Sequence, residues 1–306
     1  MTEPDWKKVE IENPGLSIRS ASFLGEGWNS CAYLVNNELV FRFPKRLEVW
    51  PELEREIAFL AFAADKLPLA VPRYMQVAPE SPAAAYGYAA YQYLCGQALE
   101  VNALPRKKQA AVADVLATFL RALHDLQPNP ELSSLLPKED ERLLAEDYFV
   151  QAEREIAPKL LPSEARALRE QFEVYLGTPR NFLFRPAVLH TVFIGDHILL
   201  EGDTPVGVID FGDVSWGDPD YDFSYLFVGC GQAFAEEVAR RYGHPNLEEL
   251  RNKLWYFGLV DQISTILDGE GRALEGQEAA AWRRLKQILR KRKMSTQRRK
   301  DPSCPA

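Results

Sequence analysis

The sequence predicts an α+β protein of two lobes, a small β-rich lobe over residues 1–94 and a larger, mainly helical lobe over residues 95–306. Two observations predict this division. Short runs of β-forming residues dominate up to Leu94, and from about Leu104 the apolar residues recur with the period of a helix. The length of 306 residues allows each lobe a core of its own.

Three β-like runs open the first lobe, and the pair Asn36-Asn37 predicts a turn between the second and the third. The runs are 20–24, 32–35 and 39–43. Aromatic residues alternate with Val40 and Arg42 in the third run, so we expect Arg42 to face away from the aromatic side.

A helix and two further β-like segments complete the first lobe. Pro51 begins a pattern in which apolar residues share one helical stripe up to Ala64. The β-like segments follow at 73–77 and 86–94, and Gly96 marks the end of the lobe.

The second lobe is predicted to be helical with one β-like interruption. An amphipathic helix begins after Pro105 and carries its apolar stripe over 112–123. Residues 139–176 are also helical, with interruptions at Pro158 and Pro162. After the β-like stretch at 188–209, helical patterns return at 234–241, 247–267 and 278–292.

Charge and apolar content exclude several classes of protein. The formal net charge is −8, yet residues 283–300 carry ten Lys and Arg and no Asp or Glu, so the rest of the chain is strongly acidic. We interpret the basic segment as a solvated helix end. An acidic body disfavours nucleic acid; it would attract a polycationic small molecule, or it serves only as a solvated acidic surface that keeps the protein soluble. The longest apolar run, 57–64, is far shorter than the about 20 residues that cross a bilayer, and no secretion signal is apparent.

The cysteines are widely scattered and form no Cys-x-x-Cys pair, so the sequence predicts free thiols in a reducing cytoplasm. They are Cys31, Cys95, Cys230 and Cys304.

A glycine-bearing turn, a strand cation and a helix carboxylate follow one another in the first lobe. In Gly25-Glu26-Gly27-Trp28-Asn29-Ser30, the glycines allow the backbone to approach a phosphate closely. Arg42, with Lys45 as a rival, presents the cation where lysine is expected, and Glu56 presents the carboxylate. Each has an ordinary surface explanation alone, but this order is typical of the phosphate-gripping half of a kinase-like nucleotide site.

A hairpin in the second lobe brings two metal-ligand types together. The runs 198–200 and 206–209 flank a turn, so His197, just before one strand, should lie near Asp210, just after the other. A nitrogen and an oxygen ligand that converge there could hold Mg²⁺ bridging nucleotide phosphates. Asp218 or Asp222 is expected to cap or anchor the following loop.

From about Gly25 to Leu267 the chain resembles the aminoglycoside phosphotransferases and their choline-kinase-like relatives, which share the protein-kinase fold. The similarity is greatest to the aminoglycoside 2″-phosphotransferase branch. It lies in Gly-Glu-Gly-Trp-Asn at 25–29, Phe-Arg-Phe-Pro at 41–44, Asp-His-Ile-Leu at 196–199, and Ile-Asp-Phe-Gly-Asp at 209–213 followed by Asp-Pro-Asp at 218–220.

The resemblance implies a bilobal protein-kinase-like fold and phosphoryl transfer from ATP or GTP to a hydroxyl of a small cationic molecule, foremost an aminoglycoside. It implies Mg²⁺ held at His197 and Asp210. Segment 91–96 falls where the family's hinge binds the purine base through its backbone. The residues expected at the nucleotide are Gly25, Gly27, Ser30, Arg42, Glu56, Tyr91, Tyr93 and Cys95.

One position departs from the family. Its catalytic loop reads His-x-Asp, and the Asp accepts or orients the proton of the substrate hydroxyl, whereas this chain has His190-Thr191-Val192. Valine cannot act as a base, and a positioned base contributes about 10²–10⁴-fold, so we expect severely impaired transfer. We interpret His190 as structural and do not expect Asp196 to substitute. Val192 marks either an inactivated enzyme, which the intact metal ligands favour, or a natural non-catalytic relative.

The helical lobe must supply the acceptor site, where acidic side chains would suit ammonium groups and aromatic ones would suit sugar rings. The acidic candidates are Asp147, Asp196, Asp213 and Asp261, and the aromatic candidates are Trp216, Trp255 and Tyr256. The acceptor could instead be a macrolide, a choline-like amine or a sugar. A kinase-like protein that binds nucleotide or ligand without catalysis is the alternative from another class. We further expect a cytoplasmic monomer with no nucleic-acid or membrane partner.

Overall fold

The computed structural model describes residues 4–268 and 276–300. The chain divides into two compact units. The first runs to Pro137 and includes Ala187–Trp216, and the second comprises Lys138–Pro186 and the chain from Gly217 onward. The predicted lobe boundary after residue 94 lies within the first unit and stays a prediction.

An antiparallel sheet of five strands forms the N-terminal part of the first unit, in the order β1-β2-β3-β5-β4. The strands are β1 (Ala21–Glu26), β2 (Ser30–Val35), β3 (Leu39–Pro44), β4 (Tyr74–Ala78) and β5 (Tyr88–Gln92). Asn36 and Asn37 both have positive φ, 55° and 58°, and form the predicted turn between β2 and β3. Two left-handed residues match the right-handed twist of a hairpin, and Asn tolerates that conformation.

The two faces of this sheet are covered by different helices. On one face, the rings of Phe41 and Phe43 meet the edge of Trp6 on α1 (Trp6–Glu12). On the other face, the core residues Trp50 and Leu53 of α2 (Trp50–Ala63) pack with Ala89. Arg42 lies between these aromatic residues in β3 and contacts α2, which confirms that it faces away from the aromatic side.

A helix and two small sheets complete the first unit. Strands β6 (Gln97–Ala98), β8 (Ile198–Glu201) and β9 (Thr204–Val208) form one sheet, and β7 (Ala187–Leu189) pairs with β10 (Ser215–Gly217). Helix α3 (Arg106–His124) packs its apolar stripe against β7 and β9, and α4 is the short Pro130–Leu135. Ile198 pairs with Val208, so the predicted hairpin is present.

The described part of the second unit is mainly helical. Its helices are α5 (Glu141–Gln151), α6 (Pro162–Leu176), α7 (Asp222–Gly229), α8 (Gln232–Tyr242), α9 (Leu247–Asp268) and α10 (Gln277–Lys300), with a π-helical turn at Ala152–Ile156. The helical pattern over 139–176 is interrupted at both prolines, as predicted: Pro158 lies in a short turn at Ala157–Lys159, and Pro162 begins α6, where a first-turn residue needs no backbone N–H partner. Helix α10 extends beyond the predicted end at 292.

Two further sequence predictions concern membranes and thiols. Within the described residues, no helix combines the length and apolar character needed to span a bilayer. Cys31, Cys95 and Cys230 are free thiols, as predicted, and Cys304 lies outside the described residues.

Candidate functional site

The glycine-bearing turn joins β1 to β2 and leaves open space above its backbone. The N–H of Gly27 donates to the carbonyl of Ser30 at 3.0 Å, which closes the turn. A Cβ placed on Gly25 or Gly27 would meet no atom within 4 Å, so packing inside the protein does not require glycine at either position. The hydroxyl of Ser30 is buried and has no hydrogen-bond partner among the described residues. Open backbone and an unused hydroxyl are what a phosphate-binding turn needs.

Arg42 holds the centre of the site by binding two groups on the α2 side of the sheet. One guanidinium nitrogen donates to Glu56 Oε2 at 2.6 Å and to the Tyr74 hydroxyl at 3.1 Å. Glu56 is fully buried, and burial raises the pKa of its carboxyl although Arg42 acts in the opposite direction. Burial opposes the charge of Arg42, but Glu56 and its neighbours hold the pKa of the guanidinium well above its ordinary value. Arg42 is therefore a fixed, permanently charged group.

Lys45 does not compete for this position. Its ammonium lies 2.8 Å from a carboxylate oxygen of Glu26, in the glycine-bearing turn. Arg42 is the cation that meets Glu56, and its role at a nucleotide stays a prediction.

The β8–β9 hairpin brings His197 and Asp210 together. The N–H of Ile209 donates to the carbonyl of His197 at 2.9 Å, and His197 Nε2 lies 3.3 Å from Asp210 Oδ2. Asp210 has a φ of 66°, a left-handed conformation that Asp adopts more readily than most residues. The second guanidinium nitrogen of Arg42 lies 3.5 Å from Asp210 Oδ1. Burial opposes its charge, but Arg42 and His197 lower the pKa of Asp210, so its carboxylate stays ionised.

These two side chains fit a divalent cation that also binds a nucleotide. His197 Nδ1 lies 2.9 Å from the carbonyl oxygen of Val192 and can donate to it, so Nε2, on the side of Asp210, is the nitrogen that would bind a metal ion in exchange for a proton. Nowhere in the described residues do three or more His, Cys, Asp or Glu form a metal-binding group. A pair of protein ligands suits Mg²⁺, which typically keeps several waters and takes its other ligands from substrate phosphates.

The triplet His190-Thr191-Val192 contacts the residues of this pair and their neighbours. His190 is fully buried, its Nε2 lies 3.0 Å from the carbonyl oxygen of Ile209, and its ring packs on Phe211. Thr191 has a φ of 75°, unusual for a β-branched residue, and its hydroxyl lies 2.9 Å from the hydroxyl of Ser215. Val192 offers its carbonyl oxygen to His197, while its side chain has no donor or acceptor.

The hinge segment is only partly available to a ligand. Tyr91 is buried in β5, with its ring against Tyr74 at a centroid distance of 5.2 Å. The N–H of Tyr93 donates to the carbonyl of Glu38 at 2.7 Å, so it is already engaged. Cys95 is exposed and lines a cavity of about 440 Å³ together with residues of the β8–β9 turn.

The acceptor candidates are divided between the two compact units. Asp196, Asp213 and Trp216 belong to the first unit, and Asp147 and Asp261 belong to the second. The carboxylate of Asp147 is exposed and accepts a hydrogen bond from Gln151 at 2.6 Å. Both oxygens of Asp261 accept internal bonds of 2.6 Å, from Tyr225 and Gln262.

Sequence reasoning missed two groups of polar residues. Tyr74, which binds Arg42, is one. The other is Lys253, a buried lysine on α9 that donates to Asp218 and, at 2.8 Å, to Asp220. Asp218 also accepts the N–H of Asp220, so it anchors the loop as predicted.

A comparison with known protein families identifies the family of this chain. Residues 20–252 match the phosphotransferase enzyme family. The chain belongs to the phosphotransferase enzyme family. The prediction of a protein-kinase-like α+β fold, with a β-rich N-terminal and a helical C-terminal region, is confirmed by solved structures of similar chains.

Three solved structures illustrate the similarity. The GDP complex of wild-type aminoglycoside 2′-phosphotransferase-IIIa is 27% identical, with a TM-score of 0.87 over 94% of this chain and 98% of that one. The GDP and kanamycin complex of APH(2″)-IIIa is 28% identical, with a TM-score of 0.83 over 95% of this chain and 98% of that one. Macrolide 2′-phosphotransferase type I, 20% identical with a TM-score of 0.70 over 92% and 95%, shares the fold.

Proposed function

We propose that this phosphotransferase binds ATP or GTP with Mg²⁺ in its first unit and transfers the terminal phosphoryl group to a hydroxyl of a small cationic acceptor of the aminoglycoside class. We further propose that Val192 makes this transfer slow. The observation that carries the proposal is the continuous contact from Glu56 through Arg42 to Asp210 and His197. The complex of a similar enzyme with GDP and kanamycin supports the choice of both ligands.

The chain's own residues supply phosphate binding. The glycine-bearing turn offers backbone N–H groups and the hydroxyl of Ser30, and Arg42 offers a fixed positive charge. In phosphoryl transfer the protein acts mainly by positioning and by stabilising charge on the transferred group. Glu56 and Tyr74 contribute by holding the guanidinium in place.

His197 and Asp210 would hold the metal ion. A magnesium ion held there would supply charge neutralisation to the phosphates of the nucleotide. The contact of Nδ1 with the carbonyl of Val192 leaves Nε2 of His197 as the nitrogen for the metal ion, and the lowered pKa of Asp210 keeps its carboxylate ionised near neutral pH.

The side chain of Val192 cannot accept the proton of the acceptor hydroxyl. A carboxylate at this position would lie in the loop that positions His197, two residues after the buried His190. A positioned base is worth about 10²–10⁴-fold, or roughly 3–5 kcal/mol of the barrier. We therefore propose that nucleotide and metal binding survive in this chain and that phosphoryl transfer is the step that is lost.

Replacing Val192 tests this proposal. Val192→Asp should raise kcat for an aminoglycoside acceptor by about 10²–10⁴-fold, because it restores a base. Val192→Asn is the matched control, since it has nearly the same shape and no basic carboxylate, and it should stay near the parent rate. Phosphate transfer from ATP and from GTP would be followed over a panel of aminoglycosides, macrolides, choline-like amines and sugars.

Equal rates for the Asp and Asn variants over that whole panel would contradict the enzymatic proposal. The same result, combined with intact nucleotide binding, would favour the second candidate function, a kinase-like protein that binds nucleotide without transferring phosphate. The specific observation that favours this candidate is Val192 itself, whose side chain cannot act as a base.

A further inference from the structure

Helix α2 carries three charged side chains on one face, and each contacts a different part of the candidate site. Glu52, Arg55 and Glu56 are spaced i, i+3 and i+4, which places them on the same side of a helix. Glu56 binds Arg42. The other two side chains contact the loop that follows β9 and the glycine-bearing turn.

Arg55 contacts the loop 210–213, which contains the proposed metal ligand Asp210. Its Nη2 donates to the carbonyl oxygen of Gly212 at 2.8 Å. Gly212 lies beside two carboxylates, because a Cβ built on it would be 3.7 Å from both Asp210 Oδ1 and Glu56 Oε2. Burial opposes the charge of Asp210, and the backbone N–H of Gly212 is among the groups that lower its pKa. Arg55 therefore holds a residue that lies directly against the proposed metal ligand.

The backbone of this loop depends on its surroundings for its conformation. Asp210 has a φ of 66°, and a left-handed residue other than glycine persists only where neighbouring contacts determine it. The N–H of Val214 donates to the carbonyl of Phe211 at 3.1 Å, which closes the loop internally. The bond from Arg55 comes from a different element, so it fixes the loop relative to α2.

Stability alone does not explain an arginine at position 55. Its side chain is half-buried, and its Nε is buried without a hydrogen-bond partner among the residues that the structure describes. An unsatisfied buried donor lowers the stability of the folded chain. Local departures of this kind are typical of functional sites.

Glu52 makes the corresponding contact with the glycine-bearing turn. Its Oε2 accepts a hydrogen bond from Nδ2 of Asn29 at 2.5 Å. Oδ1 of the same amide accepts from the guanidinium of Arg46 at 2.7 Å. Asn29 immediately precedes Ser30, whose buried hydroxyl faces no partner among the described residues. Glu52 therefore fixes the part of the turn that is proposed to meet phosphate.

We propose that Arg55 and Glu52 are positioning residues of the phosphoryl-transfer site, Arg55 for the loop 210–213 and Glu52 for the glycine-bearing turn. Both act through the backbone or side chain that they hold and do not themselves bind the nucleotide. The inference rests on the proposed function and extends it, because it assigns the two halves of the site to separate contacts of one helix. Loss of Arg55 should act on the Mg²⁺-dependent part of nucleotide affinity alone, and loss of Glu52 on nucleotide affinity with and without Mg²⁺.

Calorimetric titration of the full chain with ATP and with GTP, in Mg²⁺ and in a chelator, separates these effects. Arg55→Met keeps an unbranched stem and removes every donor, so the dissociation constant in Mg²⁺ should rise about tenfold and that in chelator should stay unchanged. Arg55→Lys restores a charged donor and should recover most of the affinity. Arg73→Met is the matched control, since Arg73 is exposed and pairs with the exposed Asp65, and it should bind as wild type does.

Glu52→Ala is the second variant, and circular dichroism verifies that each variant is folded. Its dissociation constant should rise about 3- to 10-fold by the same factor in Mg²⁺ and in chelator. The role of Arg55 is overturned if Arg55→Met binds as wild type does, loses affinity equally in both conditions, or is not rescued by lysine. The role of Glu52 is overturned if the effect of Glu52→Ala is absent or confined to Mg²⁺.

The wild-type titration distinguishes the failure of this inference from the failure of the proposed function. Mg²⁺-dependent nucleotide binding in wild type, together with any of the overturning results in the variants, contradicts the positioning roles alone. Absence of nucleotide binding in wild type contradicts the proposed function and the positioning roles together.

Discussion

Arg42 is the residue on which the candidate site depends most. Its two terminal nitrogens reach different carboxylates, Glu56 on α2 and Asp210 after β9. A lysine at this position would have one nitrogen to offer, whereas the guanidinium fork can bind both at once. Arg42 therefore connects Glu56 on α2 with Asp210 and its neighbour His197.

The hydroxyl of Tyr74 should contribute to nucleotide affinity through Arg42. Tyr74→Phe removes the oxygen that accepts from the guanidinium at 3.1 Å and leaves the ring in place. We expect the dissociation constant of Mg²⁺-nucleotide to rise about 3- to 10-fold, the equivalent of about 1 kcal/mol. Calorimetric titration measures this change, with the exposed Tyr86→Phe as control. An unchanged dissociation constant would show that Tyr74 does not position Arg42.

Residue patterns predicted part of this site and could not predict the rest. Alternation along β3 gave the orientation of Arg42, and the hairpin gave the proximity of His197 to Asp210. Tyr74 could not be found in this way, because the pairing of β4 with β5 shifts register between Tyr74 and Gln76. A register shift breaks the two-residue period on which such a prediction rests.

At the scale of elements, α1 is attached to the sheet by its last residue. Glu12 accepts hydrogen bonds from the hydroxyl of Ser81 at 2.7 Å, the hydroxyl of Tyr88 at 3.0 Å and the N–H of Ala83 at 3.1 Å. A seven-residue helix is too short to be stable alone, so these bonds and the packing of Trp6 must hold it.

Glu12→Gln should therefore destabilise the fold without impairing ligand binding. The amide keeps one acceptor and loses the charge, and we expect the free energy of unfolding to fall by about 1–3 kcal/mol. Denaturant titration measures the loss, and Glu10→Gln on the same helix is a comparison variant. Equal stability of wild type and Glu12→Gln would contradict the role of these hydrogen bonds in holding α1.

Glu141, the first residue of α5, has a carboxyl group whose surroundings disfavour the charged form. Burial, and then the negative charge of Asp218, raises the pKa of Glu141 from 4.5 to about 7. The protonated form is thus favoured in the folded protein more than in the unfolded chain. The stability from this group is complete below about pH 4.5 and is lost as the pH rises through about 7.

A comparison of wild type with Glu141→Gln, whose side chain stays neutral, should reveal this pH dependence. The free energy of unfolding of wild type should fall relative to the variant between pH 4.5 and about 7, by at most about 3 kcal/mol. Unfolding curves at several pH values measure the difference, with the exposed Glu146→Gln as control. A constant difference across this pH range would contradict the raised pKa.

Elements with a long apolar period were predictable from the sequence, and short ones were not. The stripe over 112–123 gave α3, and the two runs around the turn at 201–205 gave the β8–β9 hairpin. Helix α1 and the short strands β6, β7 and β10 span too few residues to show a period. Their formation depends on partners that are distant in the sequence, which a local pattern does not contain.

At the scale of the whole molecule, the residues of the proposed nucleotide and metal site all belong to the first compact unit. The second unit has polar interactions of its own, with Lys253 buried between Asp218 and Asp220. A ligand that binds only the folded chain stabilises it, by about 2.7 kcal/mol at 100 times its dissociation constant. Nucleotide binding should consequently be visible as a shift in thermal unfolding as well as in direct titration.

The most direct test of the account is a titration of the full chain with ATP and with GTP, in the presence of Mg²⁺ and in the presence of a chelator. Asp210→Asn keeps the shape of the side chain and removes the charge that pairs with Arg42 and His197, and Asp203→Asn, in the turn of the same hairpin, serves as its control. The account predicts Mg²⁺-dependent binding of at least one nucleotide in wild type and in Asp203→Asn, and a loss of at least about tenfold in affinity in Asp210→Asn. Absence of nucleotide binding in wild type, or equal Mg²⁺-dependent affinity in Asp210→Asn, would contradict it.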